Sequence, residues 1–111
     1  MPAQLGAVHE VKATLFRVLG HPARVRILEL LRDGERSVGA LQAELELDSS
    51  GTSQHLAALR RIGLVTPRRV GTTVYYRVED DAVFELLAAG RAIIGRRLAA
   101  EQSVLHQLES E

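Results

Sequence analysis

The sequence predicts a mainly α fold with one small β-hairpin (α+β), ordered as four helices, two strands and a fifth helix, in a single domain spanning residues 1–111. Three observations predict it. Apolar residues recur at three- and four-residue steps through most of the chain, which is the pattern of helices with one buried face. Two runs rich in β-branched and aromatic residues, 64–70 and 74–78, flank a Gly-containing turn. Gly and Pro fall between the periodic runs, where they stop one element and start the next.

Leu5, Val8, Val11, Leu15, Val18 and Leu19 give the first helix its apolar stripe. Gly20 closes it and Pro22 opens the second as a first-turn proline, with His21 as the turn or N-cap residue between them. Val25, Ile27, Leu28, Leu30 and Leu31 make the second helix heavily buried, and Asp33-Gly34 ends it. Ser37 is a plausible N-cap for a short third helix over 38–45, with Val38, Leu41 and Leu45 inward. Leu47-Asp48-Ser49 reads as a turn, and a fourth helix follows over 50–62, with Leu56, Leu59 and Ile62 on its inner face. Gly63 is its stop, with Leu64 as the apolar residue that commonly follows such a stop. Pro67 in the first β-rich run points to an edge strand or a bulge. Asp80 and Asp81 suit the positive N-terminal end of a last helix running to about 108.

That last helix would be roughly 40 Å long at 1.5 Å per residue. A globule of this size has a radius of gyration of only about 13 Å. Its apolar positions Phe84, Leu87, Ile94, Leu98, Leu105 and Leu108 form a narrow seam broken by Arg91 and Glu101. A seam of that kind pairs helices. Gly90 and Gly95 cost helix propensity, and close helix approach is one reason to keep them. The expectation is a homodimer through the first and last helices, with Leu5, Val8, Leu15, Phe84, Leu87, Ile94, Leu98 and Leu105 at the interface.

Composition excludes several function classes. There is no cysteine among the 111 residues, so disulfides, thiolate metal sites and thiol chemistry are out. No apolar run approaches the roughly 18 residues of a membrane span, and the N-terminus has no basic region leading into an apolar core. A cytoplasmic location without membrane contact is expected. No Gly-rich phosphate loop, paired acid/base cluster or metal-ligand spacing is present, so neither enzyme activity nor a cofactor is expected.

Net charge is zero, with fourteen basic and fourteen acidic residues, but the charges are unevenly placed. Residues 49–78 contain no Asp or Glu and carry Arg60, Arg61, Arg68, Arg69 and Arg77. The third and fourth helices, joined by a tight turn, form a helix-turn-helix. The fourth begins Ser50-Gly51-Thr52-Ser53-Gln54-His55, a polar run read as surface rather than core. Recognition helices contact bases mainly through such N-terminal residues. Gln54 can read adenine through two hydrogen bonds, and hydroxyls can meet bases or phosphates. Ser50, Thr52, Ser53, Gln54, His55, Arg60 and Arg61 are therefore the candidate recognition-helix contacts, the two arginines being better placed for phosphates.

Three stretches carry a family resemblance: Leu19-Gly20-His21-Pro22-Ala23-Arg24-Val25-Arg26-Ile27-Leu28, Ser53-Gln54-His55-Leu56-Ala57-Ala58-Leu59-Arg60-Arg61-Ile62-Gly63-Leu64-Val65, and Arg68-Arg69-Val70-Gly71-Thr72-Thr73-Val74-Tyr75-Tyr76. Together they resemble the ArsR/SmtB family of bacterial winged helix-turn-helix regulators. The resemblance implies a homodimer, the fourth helix in the major groove of an imperfectly palindromic operator and the hairpin as a wing beside the minor groove. It also implies repression relieved by an effector. It places Ser53, Gln54 and His55 at base-facing positions and Arg68, Arg69, Gly71, Thr72 and Thr73 in the wing. Arg24 matches a family arginine that either braces the helix-turn-helix or meets a phosphate.

The sequence departs from the family's metal sensors. The third helix begins Ser37-Val38-Gly39-Ala40-Leu41, without a ligand, and the last helix has Asp80, Asp81 and Glu85 at its start but no His before His106. Hard carboxylates alone do not make a transition-metal site. His9 and His106, beside Glu10 or Glu109, are the one conceivable set, and the ordinary reading is two exposed histidines; no metal site is expected. The effector, a small molecule or a metal ion, is not named by any residue. The alternative to DNA binding is a winged helix that docks on another protein.

Overall fold

The computed structural model describes residues 2–110, with side chains from Gly6 to Ser110, and Leu5's side chain lies outside the described residues. The elements are α1 (Pro2–Leu19), α2 (Pro22–Leu30), a 3₁₀ turn (Leu31–Asp33), β1 (Arg36–Ser37), α3 (Val38–Leu45), α4 (Ser49–Arg61), β2 (Thr66–Val70), β3 (Thr73–Arg77) and α5 (Ala82–Ser110). The fold is a winged helix-turn-helix, mainly helical with a small antiparallel hairpin in the expected order. The chain divides into two compact units, the second being α5 with its last residue.

Local chemistry sets the element ends in the first unit. His21 Nδ1 accepts from the Ala23 N–H at 3.1 Å, capping α2 ahead of Pro22. Ser37 Oγ accepts from the Ala40 N–H at 3.1 Å and caps α3. At the end of α4, Gly63 takes φ +79°, its N–H donates to the Arg60 carbonyl, and the Leu64 N–H donates back to the Leu59 carbonyl, both at 2.9 Å. That pair of bonds is a Schellman motif, which glycine permits because a left-handed residue has no Cβ to clash.

The core sits where α2, α3 and α4 meet. Ile27, Leu28, Leu41, Leu56 and Leu59 are almost fully buried, with Leu30, Leu31 and Val65 around them. Burying side chains of this size stabilises the unit by about 1.5–3 kcal/mol each.

Two features differ from expectation. β1, only two residues long, pairs with β3, so the sheet has three strands in the order β1-β3-β2. Two residues are too few to show a period in sequence. β2 is thus an edge strand, which accommodates Pro67 opposite Tyr76 without a bulge. The second helix gives way to the 3₁₀ turn after Leu30 and stops at Gly34, φ +133°.

In the second unit, Val83 is buried and Phe84 and Leu87 are half-buried, whereas Ile93, Ile94, Leu98, Val104, Leu105 and Leu108 are all exposed. On α1, Val8, Val11 and Phe16 are exposed and Leu15 is half-buried. His9 and His106 are both exposed. Among the described residues, no helix is long and apolar enough to cross a membrane, and no three His, Cys, Asp or Glu side chains are grouped to hold a metal.

Candidate nucleic-acid interface

The recognition helix starts one residue earlier than its sequence suggests because Asp48 caps it. The Asp48 carboxylate accepts from the Gly51 N–H at 2.7 Å. An acid there also meets the positive end of the helix dipole. The turn before it passes through Glu46 at φ +55°, the one non-glycine residue in a left-handed conformation among those described.

Along α4 the side chains divide into two faces. Thr52, Leu56, Ala58 and Leu59 are buried, while Ser50, Ser53, Gln54, Ala57, Arg60 and Arg61 are exposed. The exposed positions follow steps of three and four, so they form one outward stripe. It begins with hydroxyl and amide groups, narrows at Ala57 and ends in two arginines. Ala57 was not among the residues singled out from sequence. Its small size between Gln54 and Arg60 is the signal that would have found it.

The candidacy of Thr52 is corrected. Its side chain is 0% exposed, and its hydroxyl donates to the Asp48 carbonyl at 2.9 Å. A threonine can enter the core by returning its one donor to the preceding turn. It therefore has no surface to offer a base.

His55 has partners within the chain. It is half-buried and turned toward the start of α2. Arg24 Nε donates to His55 Nδ1 at 3.2 Å, and the His21 ring lies 4.3 Å away, centroid to centroid, tilted by 49°. Arg24 Nη1 donates onward to the Val18 carbonyl at 3.3 Å. Arg24 thus ties the end of α1 to the recognition helix. Burial lowers the His55 pKa below the ordinary imidazole value, and the nearby His21 and Arg24 charges lower it further. A neutral His55 is what lets Nδ1 accept from arginine.

The wing is a regular two-residue hairpin. Arg68 faces Tyr75, Arg69 faces Val74 and Val70 faces Thr73 across the strands. Gly71, at φ +60°, takes the first turn position and Thr72 the second. Only the first is left-handed, as a type II′ turn requires. Arg69, Gly71, Thr72 and Thr73 are exposed.

Arg68 has a different environment from its neighbour. Its guanidinium donates three hydrogen bonds to the Glu35 carboxylate, from Nε to Oε2 at 2.9 Å and to Oε1 at 3.1 Å and from Nη2 to Oε1, and lies 5.2 Å from the Tyr75 ring centre. Arg77 pairs with Glu79 and approaches the same Glu35 at 3.9 Å. The Arg68 hydrogen bond holds the Glu35 pKa below the usual carboxylate range. An acid-free stretch of sequence is thus not acid-free in space, because β1 brings Glu35 to the root of the wing. Among the described residues, Arg60, Arg61 and Arg69 form no ion pair.

Two hollows join α4 to the wing. Arg60, Pro67, Arg69, Val74 and Tyr76 line one of about 300 Å³. Ser53, Thr72, Thr73 and Val74 share another of about 520 Å³ with the start of α3. The structure therefore brings together Ser53 with Thr72 and Thr73, and Arg60 with Arg69.

Comparison with known proteins agrees with this geometry. The model of the bacterial regulatory protein arsR family matches residues 21–66, from the α2 cap through the recognition helix to the first wing residue. The HTH-type transcriptional regulator Rv0081 of Mycobacterium tuberculosis is 42% identical over 104 residues, covering 93% of this chain and 91% of the relative. Its crystal structure superposes with a TM-score of 0.79 at 43% identity, covering 85% of this chain and 95% of that one. The biofilm growth-associated repressor of Agrobacterium fabrum is 39% identical over 93 residues, covering 84% of this chain and 79% of the relative. The homodimeric winged helix-turn-helix DNA-binding domain of Mb0332 from Mycobacterium bovis has a TM-score of 0.75 at 33% identity, covering 84% and 86% of the two chains. The chain belongs to the arsR family of bacterial regulatory proteins.

Proposed function

We propose that this protein is a homodimeric transcriptional regulator that binds a specific double-stranded DNA site, represses from it and is released by a small-molecule or metal effector. The observation that carries the reading is the outward stripe of α4, polar and small at its N-terminal half, cationic at its end and free of acids. Ser50, Ser53 and Gln54 read base edges in the major groove. Arg60, Arg61 and Arg69 neutralise phosphates, and Gly71, Thr72 and Thr73 follow the adjacent backbone. His55 acts from behind, by fixing the helix through Arg24. The protein acts in the cytoplasm, on the DNA there, as a regulator rather than an enzyme.

The exposed apolar residues of α1 and α5 supply the two-fold contact. The two recognition helices then meet successive major grooves about 34 Å apart, on an imperfect palindrome. The Agrobacterium repressor and the homodimeric Mycobacterium bovis domain support repression and pairing respectively.

Footprinting on the DNA upstream of the protein's own coding region tests this. Protection of two half-sites one helical turn apart is expected. Uniform weak protection, or none at concentrations where the protein is dimeric, would overturn the proposal.

A further inference from the structure

Two imidazoles and a guanidinium meet where α2 packs on α4. His21 caps α2, and its Nδ1 accepts from the Ala23 N–H at 3.1 Å. His55 stands on α4, and its Nδ1 accepts from Arg24 Nε at 3.2 Å. The two rings touch, with centroids 4.3 Å apart. Each contact needs a bare Nδ1, so both rings are neutral and carry their proton on Nε2.

A proton from solvent on either Nδ1 turns an acceptor into a donor. On His21 it sets one N–H against another and puts a positive charge at the N-terminus of α2, where the helix dipole opposes it. On His55 it sets an N–H against the Arg24 guanidinium, and Arg24 loses its hold on α4. That hold is what joins the end of α1 to the recognition helix, since the same guanidinium donates to the Val18 carbonyl. His21 is exposed and His55 half-buried, so solvent reaches the cluster from the His21 side.

The surroundings favour the neutral state of His55. The charges acting on it come from His21 and Arg24 on α2; α1 offers a carbonyl through Arg24, and α3 and the rest of α4 add no charge. Among the described residues, no carboxylate pairs or hydrogen-bonds with any of the three side chains. Burial first, and these two neighbours second, hold His55 below the ordinary imidazole range. A proton gained here meets positive neighbours and no anion.

We infer that His21, His55 and Arg24 form a proton-operated latch on the recognition helix: acid uncaps α2, releases Arg24 from His55 and so frees the protein from its DNA. This rests on the proposal that α4 reads DNA and adds a signal that acts on it. Acid ordinarily tightens a protein–DNA complex, because protonation adds positive charge near the phosphates. The latch has the opposite sign.

Fluorescence anisotropy with the footprinted operator duplex tests it, at constant salt from about pH 7.5 to about pH 5, a range in which most carboxylates stay ionised. Wild-type affinity should fall by about tenfold or more, because each subunit must shed a proton to bind. His21→Asn keeps a cap that does not titrate, and His55→Gln keeps an acceptor for Arg24. The double variant, referred to its own affinity at the upper pH, should hold or tighten at the lower one. Nitrogen-15 signals of the wild-type imidazoles need no variant: protonation of His55 Nδ1 should track the loss of affinity, while far-UV circular dichroism stays constant. Wild-type affinity that holds or rises, a double variant that weakens as steeply as wild type, His55 protonation out of step with release, or loss of the helical signal each overturns the latch. Absence of operator binding at the upper pH overturns the DNA-binding reading, and the latch with it.

Discussion

Arg68 and Arg69 are neighbours on one strand but stand in unequal surroundings, and the proposed DNA contact predicts unequal effects from replacing them. Arg69 is exposed, with no ion pair among the described residues, and shares a hollow with Arg60. Arg68 pairs with the Glu35 carboxylate at the surface, so its charge is already partly compensated. Each phosphate neutralised on duplex DNA contributes about 0.9 to the slope of log affinity against log salt. A dimer uses each wing once, so Arg69→Ala removes two contacts and shallows the slope by about 1.8. Over the fourfold salt change from 50 to 200 mM, that is about a tenfold smaller loss of affinity. Arg68→Ala should move the slope by much less. Glu35→Gln should steepen it, since it frees a cation at the wing root. Fluorescence anisotropy of a labelled operator duplex across a salt series measures all three. An Arg68→Ala effect equal to or larger than that of Arg69→Ala would refute the division of labour drawn from the Glu35 pair.

The other predictions concern the helix that carries the reading face. Asp48→Ala removes the cap on α4 and should cost about 1 kcal/mol in urea unfolding, with a weaker loss for Asp48→Asn; equal stability of all three would discount the Gly51 contact. Leu59→Ala, at a fully buried core position, should cost about 2–5 kcal/mol, and a change within the error of the unfolding curve would contradict the packing of α4 described here. His55 supplies a pH dependence. Its folded pKa is depressed below 6.5, so the unfolded chain takes up the proton first. Its contribution is complete above about pH 6.5 and is lost as pH falls through the folded value. His55→Gln, which retains an acceptor for Arg24, should flatten the fall of melting temperature between about pH 7 and 5; an unchanged fall would place the titration elsewhere.

Much of this architecture was legible where short-range chemistry decides it. Ser37 caps α3 and Gly63-Leu64 closes α4 as expected, because a cap or a left-handed glycine acts within four residues of itself. The wing followed from two β-rich runs around Gly71. The candidate site was less legible. Thr52 was read as surface because it sits in a polar run, yet it lies four and seven residues before Leu56 and Leu59, on their face. Helical spacing could have placed it inside; side-chain polarity pointed the other way. Glu35 reaches Arg68 across 33 residues, and Arg24 reaches His55 across 31. Contacts at such separations depend on how β1 joins the sheet and how α2 meets α4, and no local pattern encodes either.

The central claim is that the outward face of α4 reads sequence and does not merely attract phosphate. The direct measurement is the ratio of affinities for the footprinted operator and a scrambled duplex of equal length, at one physiological salt concentration, for wild type and Gln54→Ala. Wild type should favour the operator by about a thousandfold or more, and Gln54→Ala should reduce that ratio while its affinity for the scrambled duplex holds. A wild-type ratio near one, or a Gln54→Ala protein that retains the full ratio, would contradict the assignment of α4 as the reading helix through Gln54.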